Sequence, residues 1–177
     1  MKVFGLVGWS DSGKTTLMTR LLPELTNRGL RVSTAKHAHH EFDLDTEGKD
    51  SYLHRSSGAT EVMIASRQRW ALLHEHRNEP ESSLEELITH MSPVDLLMVE
   101  GMKQHAHDKI EVHRSGRAAP LILDEQTGVV AVASDAPLEG LSVPVLDLND
   151  PSAIADFIID HCGLARLVDA ARQSSGG

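Results

Sequence analysis

The sequence has very little cysteine and few aromatic residues. Cys162 is the only cysteine among 177 residues, and Phe, Trp and Tyr together make up 3% of the chain. A single cysteine excludes an internal disulfide, and it also excludes a zinc ribbon built from paired cysteines. Few aromatic rings leave few platforms on which the bases of single-stranded nucleic acid can stack. We therefore expect an aliphatic core and a protein of a reducing compartment.

Long apolar runs and net positive charge are also missing. No apolar segment reaches the ~20 residues that a membrane-spanning helix requires, and the first residues lack the features of a signal peptide. The 17 Lys and Arg are outnumbered by 26 Asp and Glu, which gives a formal net charge of −9. This charge opposes non-specific binding to nucleic acid or to anionic membranes. We expect a cytoplasmic protein with neither as a partner, in which any phosphate is bound by a local site.

Short apolar segments alternate with helical patterns along most of the chain. Residues 2–7 and 30–35 are apolar runs, and residues 13–28 between them have leucines at helical spacing, which predicts a parallel βαβ unit. Further strands are predicted at 61–65 and 70–74, as an antiparallel hairpin, and at 94–99, 109–113, 129–133 and 143–146; further helices are predicted at 48–57, from Ser82 or Ser83, at 152–161 and at 164–172. The sequence therefore predicts an α/β fold with a mostly parallel sheet flanked by helices and an added β-hairpin. We expect a single domain over residues 1–172 and a disordered tail at 173–177.

A glycine-rich segment lies between the first predicted strand and the first predicted helix. Gly8-Trp9-Ser10-Asp11-Ser12-Gly13-Lys14-Thr15 matches the phosphate-binding pattern G-x-x-x-x-G-K-[ST]. Glycines at both ends let the backbone approach phosphate oxygens, and the N–H groups of the loop and the helix N-terminus form an anion site. The predicted nucleotide-binding residues of this P-loop are Gly8, Ser10, Asp11, Ser12, Gly13, Lys14, Thr15 and Thr16. The fold is accordingly predicted to be a P-loop NTPase sheet.

A magnesium site is predicted beside the loop. Lys14 supplies a cation for the β- and γ-phosphates, and the Thr15 hydroxyl is placed for Mg²⁺. Glu100 follows a buried strand, so it is the best-placed carboxylate to reach the metal or to polarise an attacking water, although it is also explained as an acid that ends a strand at the surface. The predicted metal ligands are Thr15, Asp45 and Glu100, and the predicted catalytic residues are Lys14 and Glu100.

Histidines and acids are concentrated in residues 36–45, after the second predicted strand. This segment is expected at the same edge of the sheet as the P-loop. Asp43 or Asp45 is a candidate for the Mg²⁺ shell, and Lys36, His37 or His39 for contact with phosphate. A solvated loop, with Asp45 as a helix cap, explains the same residues equally well.

The sequence resembles the family of molybdopterin-guanine dinucleotide biosynthesis adaptors, MobB. The residues that carry this resemblance are residues 7–16, Lys36, His37, His39, Phe42, Asp43, Asp45, residues 48–51, Arg55, Gly58, Ala59, Glu100, Gly101, Lys103, residues 109–114 and residues 133–135. The P-loop is shared with many proteins, whereas the segment from His39 to Ser51 is much more discriminating. Residues 67–81 contain no motif that we can identify.

The resemblance implies a homodimer that binds GTP and Mg²⁺, hydrolyses GTP weakly, and assists the enzyme MobA in attaching GMP to molybdopterin. In this comparison Asp135 becomes a candidate for reading guanine, because a carboxylate accepts from both N1–H and the exocyclic amine. A turn residue after a strand explains Asp135 equally well. Slow hydrolysis is expected because no glutamine or arginine stands beside the loop in sequence, although Arg55 or Arg114 is a candidate to supply the missing cation.

Two other function classes are compatible with the residues. A GTP-dependent nickel or cobalt metallochaperone would use His37, His39 and His40 as ligands, and a small-molecule kinase would use the same fold.

Trp9 is expected to cover the nucleotide or to lie in a subunit contact. Four basic residues are expected either to meet an anionic ligand or partner, or to form a solvated face: Lys103, Lys109, Arg114 and Arg117.

Overall fold

The computed structural model describes residues 1–38, 42–117, 119–123 and 128–175. In chain order its elements are β1 (Lys2–Val7), α1 (Lys14–Asn27), β2 (Val32–Lys36), α2 (Asp50–Ser56), β3 (Glu61–Ala65), β4 (Trp70–His74), α3 (Leu84–Thr89), β5 (Leu96–Glu100), β6 (Lys109–His113), β7 (Val129–Ser134), β8 (Val145–Asp147), α4 (Pro151–His161) and α5 (Ala165–Ser175).

The chain forms two compact units, Met1–His37 with Ser92–Gly177, and Ala38–Met91, which are considered separately. The single domain and the tail at 173–177 stay predictions, and α5 extends three residues past its predicted end at Arg172.

The first unit contains a six-stranded sheet in the order β2-β5-β1-β6-β7-β8. Every neighbouring pair is parallel, so the predicted mostly parallel sheet is confirmed. Because β1 lies between β5 and β6, the loops that follow these three strands leave the same edge of the sheet side by side. The end of β2 adjoins them through β5, and the end of β7 adjoins them through β6. This strand order brings together residues that are about a hundred positions apart in the sequence.

An aliphatic core packs α1, α4 and α5 against one face of the sheet. The strands contribute alternate residues to it, since successive side chains of a strand point to opposite faces. Helix α1 contributes its buried stripe Leu17, Met18, Leu21 and Leu25, although Pro23 lies inside the helix. Phe4 is the one aromatic side chain in this core that is fully buried. The expectation of an aliphatic core is therefore confirmed.

The second unit contains α2, the β3–β4 hairpin and α3. The hairpin is antiparallel, with Glu61 opposite His74 and Ala65 opposite Trp70, and both strands have the predicted bounds. Helix α3 begins with a capping box in which the Ser83 hydroxyl accepts from the Glu86 N–H and the Glu86 carboxylate accepts from the Ser83 N–H. The added hairpin is thus confirmed.

Two charged residues of β6 are fully buried. The Glu111 carboxylate accepts from the backbone N–H groups of Ile122 at 2.8 Å and Leu123 at 2.9 Å, so it fixes the segment 119–123 to the sheet. Burial raises the pKa of Glu111, and these two hydrogen bonds oppose that rise. Lys109 donates to the carbonyl oxygens of Lys103 and His105, and burial lowers its pKa. Lys109 is therefore not the exposed cation that the sequence suggested, because its ammonium is used inside the fold.

In the part of the chain that the structure describes, no helix combines the length and the apolar character needed to cross a membrane.

Replacing Glu111 by Ala is expected to lower the free energy of unfolding by about 2 kcal/mol or more, because two backbone N–H groups lose their acceptor and one of them is buried. Urea denaturation followed by circular dichroism measures the loss. Glu139→Ala is the matched control, since Glu139 is exposed in a loop; equal stability of the two variants would contradict the structural role of Glu111.

Candidate functional site

The P-loop has a backbone that glycine makes possible. Gly8 (φ 150°) and Gly13 (φ 98°) both have positive φ, and so does Asp11 (φ 56°) between them. A Cβ at Gly8 would lie 2.6 Å from the Val112 carbonyl oxygen, so no side chain fits there without displacing β6. Gly13 is the N-cap of α1. The first N–H groups of that helix have no intrahelical acceptor, as at the start of any α-helix, so they are available to an anion bound in the loop.

Two polar side chains of the loop, those of Lys14 and Ser12, differ in their hydrogen bonding. The Lys14 ammonium donates to the carbonyl oxygens of Gly8 at 3.1 Å and Trp9 at 2.7 Å, and desolvation lowers its pKa. The Ser12 side chain is only 3% exposed, and its hydroxyl oxygen has no hydrogen-bond partner among the residues that the structure describes. A buried hydroxyl without a partner costs free energy, so a ligand oxygen at this position would be stabilising. Both groups suit an anion bound in the loop.

Thr15 and Glu100 form the part of the site suited to a metal. The Thr15 hydroxyl donates to the Glu100 carboxylate at 2.6 Å, across 85 residues of sequence. Lys36, at the end of β2, forms an ion pair with the same Glu100 oxygen at 3.3 Å. Glu100 is 8% exposed, so it is not an acid at the surface. A hydroxyl and a carboxylate are oxygen ligands of the kind that Mg²⁺ takes in phosphate sites.

Basic side chains surround the loop more closely than the sequence indicated. The Arg114 guanidinium lies beside Gly13, 3.1 Å from where a Cβ would stand, and Arg117 donates to the Ser10 carbonyl at 3.0 Å. Lys103 lies over the Trp9 ring, with its nitrogen 4.5 Å from the ring centroid. The Trp9 indole in turn donates to the Pro120 carbonyl at 2.7 Å. Together with Lys14 and Lys36, these groups form a local cationic region in an acidic chain.

Asp135 directly follows β7, and Arg114 directly follows the neighbouring strand β6. Its carboxylate accepts from the Ser115 backbone N–H at 2.8 Å and lies 3.5 Å from the Arg114 guanidinium. These hydrogen bonds, with the nearby Arg114 charge, hold the pKa of Asp135 below its usual value. The residue therefore stabilises the turn after β6. Its role in reading guanine stays a prediction.

The remaining predicted metal ligand, Asp45, lies in the unit 38–91. The Arg55 guanidinium donates to Asp45 at 2.9 Å and to Asp43 at 2.7 Å, and it lies 3.5 Å from Glu75. The hydrogen bond with Asp45 is the main cause that raises the pKa of Arg55. These residues line a cavity of about 570 Å³ within that unit. Asp45 is thus a partner of Arg55, and its predicted contact with Mg²⁺ is untested.

Of the three histidines considered as nickel or cobalt ligands, His39 and His40 lie outside the described residues. The backbone N–H of His37 donates to the Glu100 carbonyl at 3.0 Å, which continues the pairing of β2 with β5.

The residues present fit a nucleoside triphosphate with Mg²⁺. The loop and helix N–H groups and Lys14 would hold phosphate oxygens, the Ser12 hydroxyl would gain a partner, and Thr15 with Glu100 would hold the metal.

The sequence missed three features of this site: the closeness of Arg117, the contact of Lys103 with Trp9, and the buried Ser12 hydroxyl. No spacing in the sequence signals them, because each depends on which loops become neighbours.

Comparison with known proteins identifies the family of this chain. Residues 3–135 match the family model described as "MobB: Molybdopterin guanine dinucleotide synthesis protein B". The chain is 44% identical over 163 residues to the molybdopterin-guanine dinucleotide biosynthesis adapter protein of Escherichia coli K12, covering 89% of this chain and 91% of that protein. It is 42% identical over 159 residues to the protein of the same name from Haemophilus influenzae, covering 88% and 86%.

Solved structures show the same fold. A MobB homologue from Bacillus stearothermophilus superposes with a TM-score of 0.70 at 27% identity, covering 93% of this chain and 99% of that one. A crystal structure of molybdopterin-guanine biosynthesis protein B gives a TM-score of 0.67 at 30% identity, covering 89% and 98%. The matches span nearly the whole chain rather than the P-loop alone, and the chain therefore belongs to the MobB family.

Proposed function

We propose that this protein is a GTP-binding adaptor in the biosynthesis of molybdopterin-guanine dinucleotide, where it assists a MobA-type guanylyltransferase that attaches GMP to molybdopterin. One observation carries the proposal. In a chain of the MobB family, the buried Ser12 hydroxyl, the Lys14 ammonium and the start of α1 converge in a loop of phosphate-binding geometry. The relatives from E. coli and H. influenzae are both named adapter proteins of this biosynthesis.

In the proposed nucleotide site, neighbouring residues bind the phosphates, neutralise their charge and attract the anion. Gly8, Gly13 and the N–H groups of α1 receive the phosphates, while Lys14 neutralises their charge. Mg²⁺, held by Thr15 and Glu100, supplies further neutralisation of charge on the phosphates. Arg114 and Arg117 attract the anion to the loop, since the chain as a whole is acidic.

An adaptor must couple its nucleotide to the surface that meets its partner. Glu100 is suited to this coupling because it binds both Thr15, at the start of α1, and Lys36, at the end of β2. A change in the bonding of this one carboxylate therefore acts on two elements at once. Lys36 leads directly into the unit 38–91, so the proposed signal has a short path along the chain.

Weak GTP hydrolysis is part of the proposal. Glu100 is already bonded to Thr15 and Lys36, which restrains it from acting as a base towards water. Arg114 is the better of the two arginine candidates for the missing cation, since Arg55 is bound to three carboxylates in its own unit. The names of the relatives favour the adaptor role over a small-molecule kinase or a metallochaperone.

We also propose the homodimer that the family resemblance implies. The β3–β4 hairpin exposes three large apolar side chains, with Met63 at 64%, Ile64 at 43% and Trp70 at 62% exposure. Exposed apolar side chains gathered on one hairpin favour association, because burying them removes apolar surface from water.

Lys14→Ala is expected to weaken binding of Mg²⁺-GTP by about 2 kcal/mol or more, because a charge-assisted contact with phosphate is lost. Isothermal titration calorimetry with GTP and with ATP measures the loss and the base preference together. Lys49→Ala is the control, since Lys49 is an exposed lysine outside the loop. Unchanged GTP affinity in Lys14→Ala would contradict the assignment of the site.

Asp135→Asn is expected to let xanthine nucleotides compete with guanine nucleotides, because an amide can donate to the xanthine carbonyl that the carboxylate repels. The asparagine oxygen can still accept from the Ser115 N–H, so the turn should persist. Competition calorimetry with GTP and xanthosine triphosphate measures the change. If the base preference does not shift, Asp135 does not read the base.

The adaptor role predicts a complex with the guanylyltransferase whose affinity depends on the nucleotide. With GTP and Mg²⁺ present, we expect a change of about tenfold or more in the dissociation constant, within the usual range of coupling free energies. Biolayer interferometry with immobilised partner measures it, and Lys14→Ala should abolish the dependence without abolishing the complex. Rapid phosphate transfer to an added small acceptor, with no partner complex, would instead identify a kinase.

A further inference from the structure

Two histidines and a glutamate converge at the end of the β3–β4 hairpin. His74 is the last residue of β4, and His76 and Glu79 belong to the turn that follows. One ligand atom from each of these three side chains can be chosen so that all three lie within 4.8 Å of one another. The His74 Nε2 and the Glu79 carboxylate are 3.5 Å apart. Ligands about 2.0–2.1 Å from a tetrahedral zinc ion lie about 3.3 Å from each other, so this separation already approaches the edge of such a site.

We propose that His74, His76 and Glu79 bind one divalent transition-metal ion of the zinc class, a site separate from the Mg²⁺ site of the P-loop. Two imidazoles and one carboxylate are the donors that zinc, cobalt and nickel accept, whereas Mg²⁺ and Ca²⁺ prefer all-oxygen sites. Three protein ligands leave a coordination position for water or for a ligand. The proposal does not depend on the nucleotide-binding function.

The Glu61 carboxylate orients the His74 imidazole for metal binding. The two residues face each other across the hairpin, and the His74 Nδ1 lies 3.0 Å from the Glu61 carboxylate. A carboxylate only accepts, so the Nδ1 carries the proton and the Nε2 is directed at Glu79. This is the arrangement in which a carboxylate orients a metal-binding imidazole.

The turn that carries His76 and Glu79 is held in place by the rest of its unit. The Glu79 N–H donates to the His76 carbonyl at 2.6 Å, which closes the turn and brings the two side chains to the same end. Within the turn, Arg77 has a positive φ of 47°, and its guanidinium donates to the carbonyls of Arg55 and Ala59. An ordinary cross-strand ion pair accounts for Glu61 and His74, but it does not account for the convergence of His76 and Glu79.

The site adjoins the cavity of this unit. His74 and His76 line the cavity of about 570 Å³ together with Asp43, Asp45 and Glu75, which carry negative charge. Arg55 offsets part of that charge. The remaining excess of carboxylates attracts a cation, and an open coordination position of the bound metal would be accessible from the cavity.

Titration of Zn²⁺ into the untagged full-length chain, freed of metal with a chelator and without nucleotide, tests the proposal. Isothermal titration calorimetry should show one site per chain. His76→Ala and Glu79→Gln should each weaken Zn²⁺ binding by about tenfold or more, and Glu61→Gln by a smaller factor. His54→Ala is the matched control and should bind as the wild type does, since His54 is an exposed histidine on α2 of the same unit.

X-ray absorption on the zinc-loaded wild type gives a second readout that does not depend on whether the variants fold. Two imidazole nitrogens and at least one carboxylate oxygen in the nearest shell are the expected result. Any of three outcomes would overturn the proposal: no Zn²⁺ binding by the wild type at millimolar concentration, binding that His76→Ala and Glu79→Gln both leave unchanged, or zinc bound in the wild type with a single imidazole in its shell.

Discussion

The position of β1 between β5 and β6 is the constraint on which the rest of the nucleotide site depends. Parallel pairing on both sides of β1 makes its carboxyl end the meeting point of three loops. Gly8 leaves β1 so close to the Val112 carbonyl of β6 that only glycine fits. On the other side, β5 ends at Glu100, within hydrogen-bond distance of Thr15. The P-loop is thus placed by its neighbours as much as by its own sequence.

Cationic side chains near the P-loop offset the negative net charge of the chain. A chain with a net charge of −9 repels a triphosphate at long range. Near the loop, however, Lys14, Lys36, Arg114 and Arg117 come from three different segments and form a local cationic region. Several of these cations are bonded to backbone carbonyls or carboxylates of the protein itself. They are therefore held in position before a ligand arrives, which lowers the cost of ordering them on binding.

The unit 38–91 uses its charges differently. Arg55 is surrounded by Asp43, Asp45 and Glu75, so its guanidinium holds a loop, a helix and the end of the hairpin together. His74 and its neighbours occupy the same end of that hairpin. Val62 and Leu84 are the only buried large apolar side chains of this unit among the described residues. Charged side chains therefore hold this unit together, as the aliphatic cluster holds the other.

The sequence by itself determined the elements and the chemistry of the loop. Apolar runs bounded by glycine identified the strands, and the hairpin at 61–65 and 70–74 was correct to the residue because turn residues separate two β-prone segments. The P-loop pattern was recognisable because its glycines and its lysine meet requirements that are local in the chain. A His-x-His pattern was present at 74–76, although the segment 67–81 showed no motif, since two histidines two residues apart carry no meaning until Glu61 and Glu79 are known to lie beside them.

Only the tertiary structure decided which charges are buried and which side chains become neighbours. Lys109 and Glu111 have the alternating pattern of a strand and look exposed in sequence, yet both are fully buried because the backbone of the adjoining segments satisfies them. Asp45 was predicted as a metal ligand because its segment follows the second strand, and this contact stays a prediction; the ion pair of Asp45 with Arg55 had no signal in the sequence. Contacts of this kind join residues through strand order and loop packing, and neither has a local signature in the sequence.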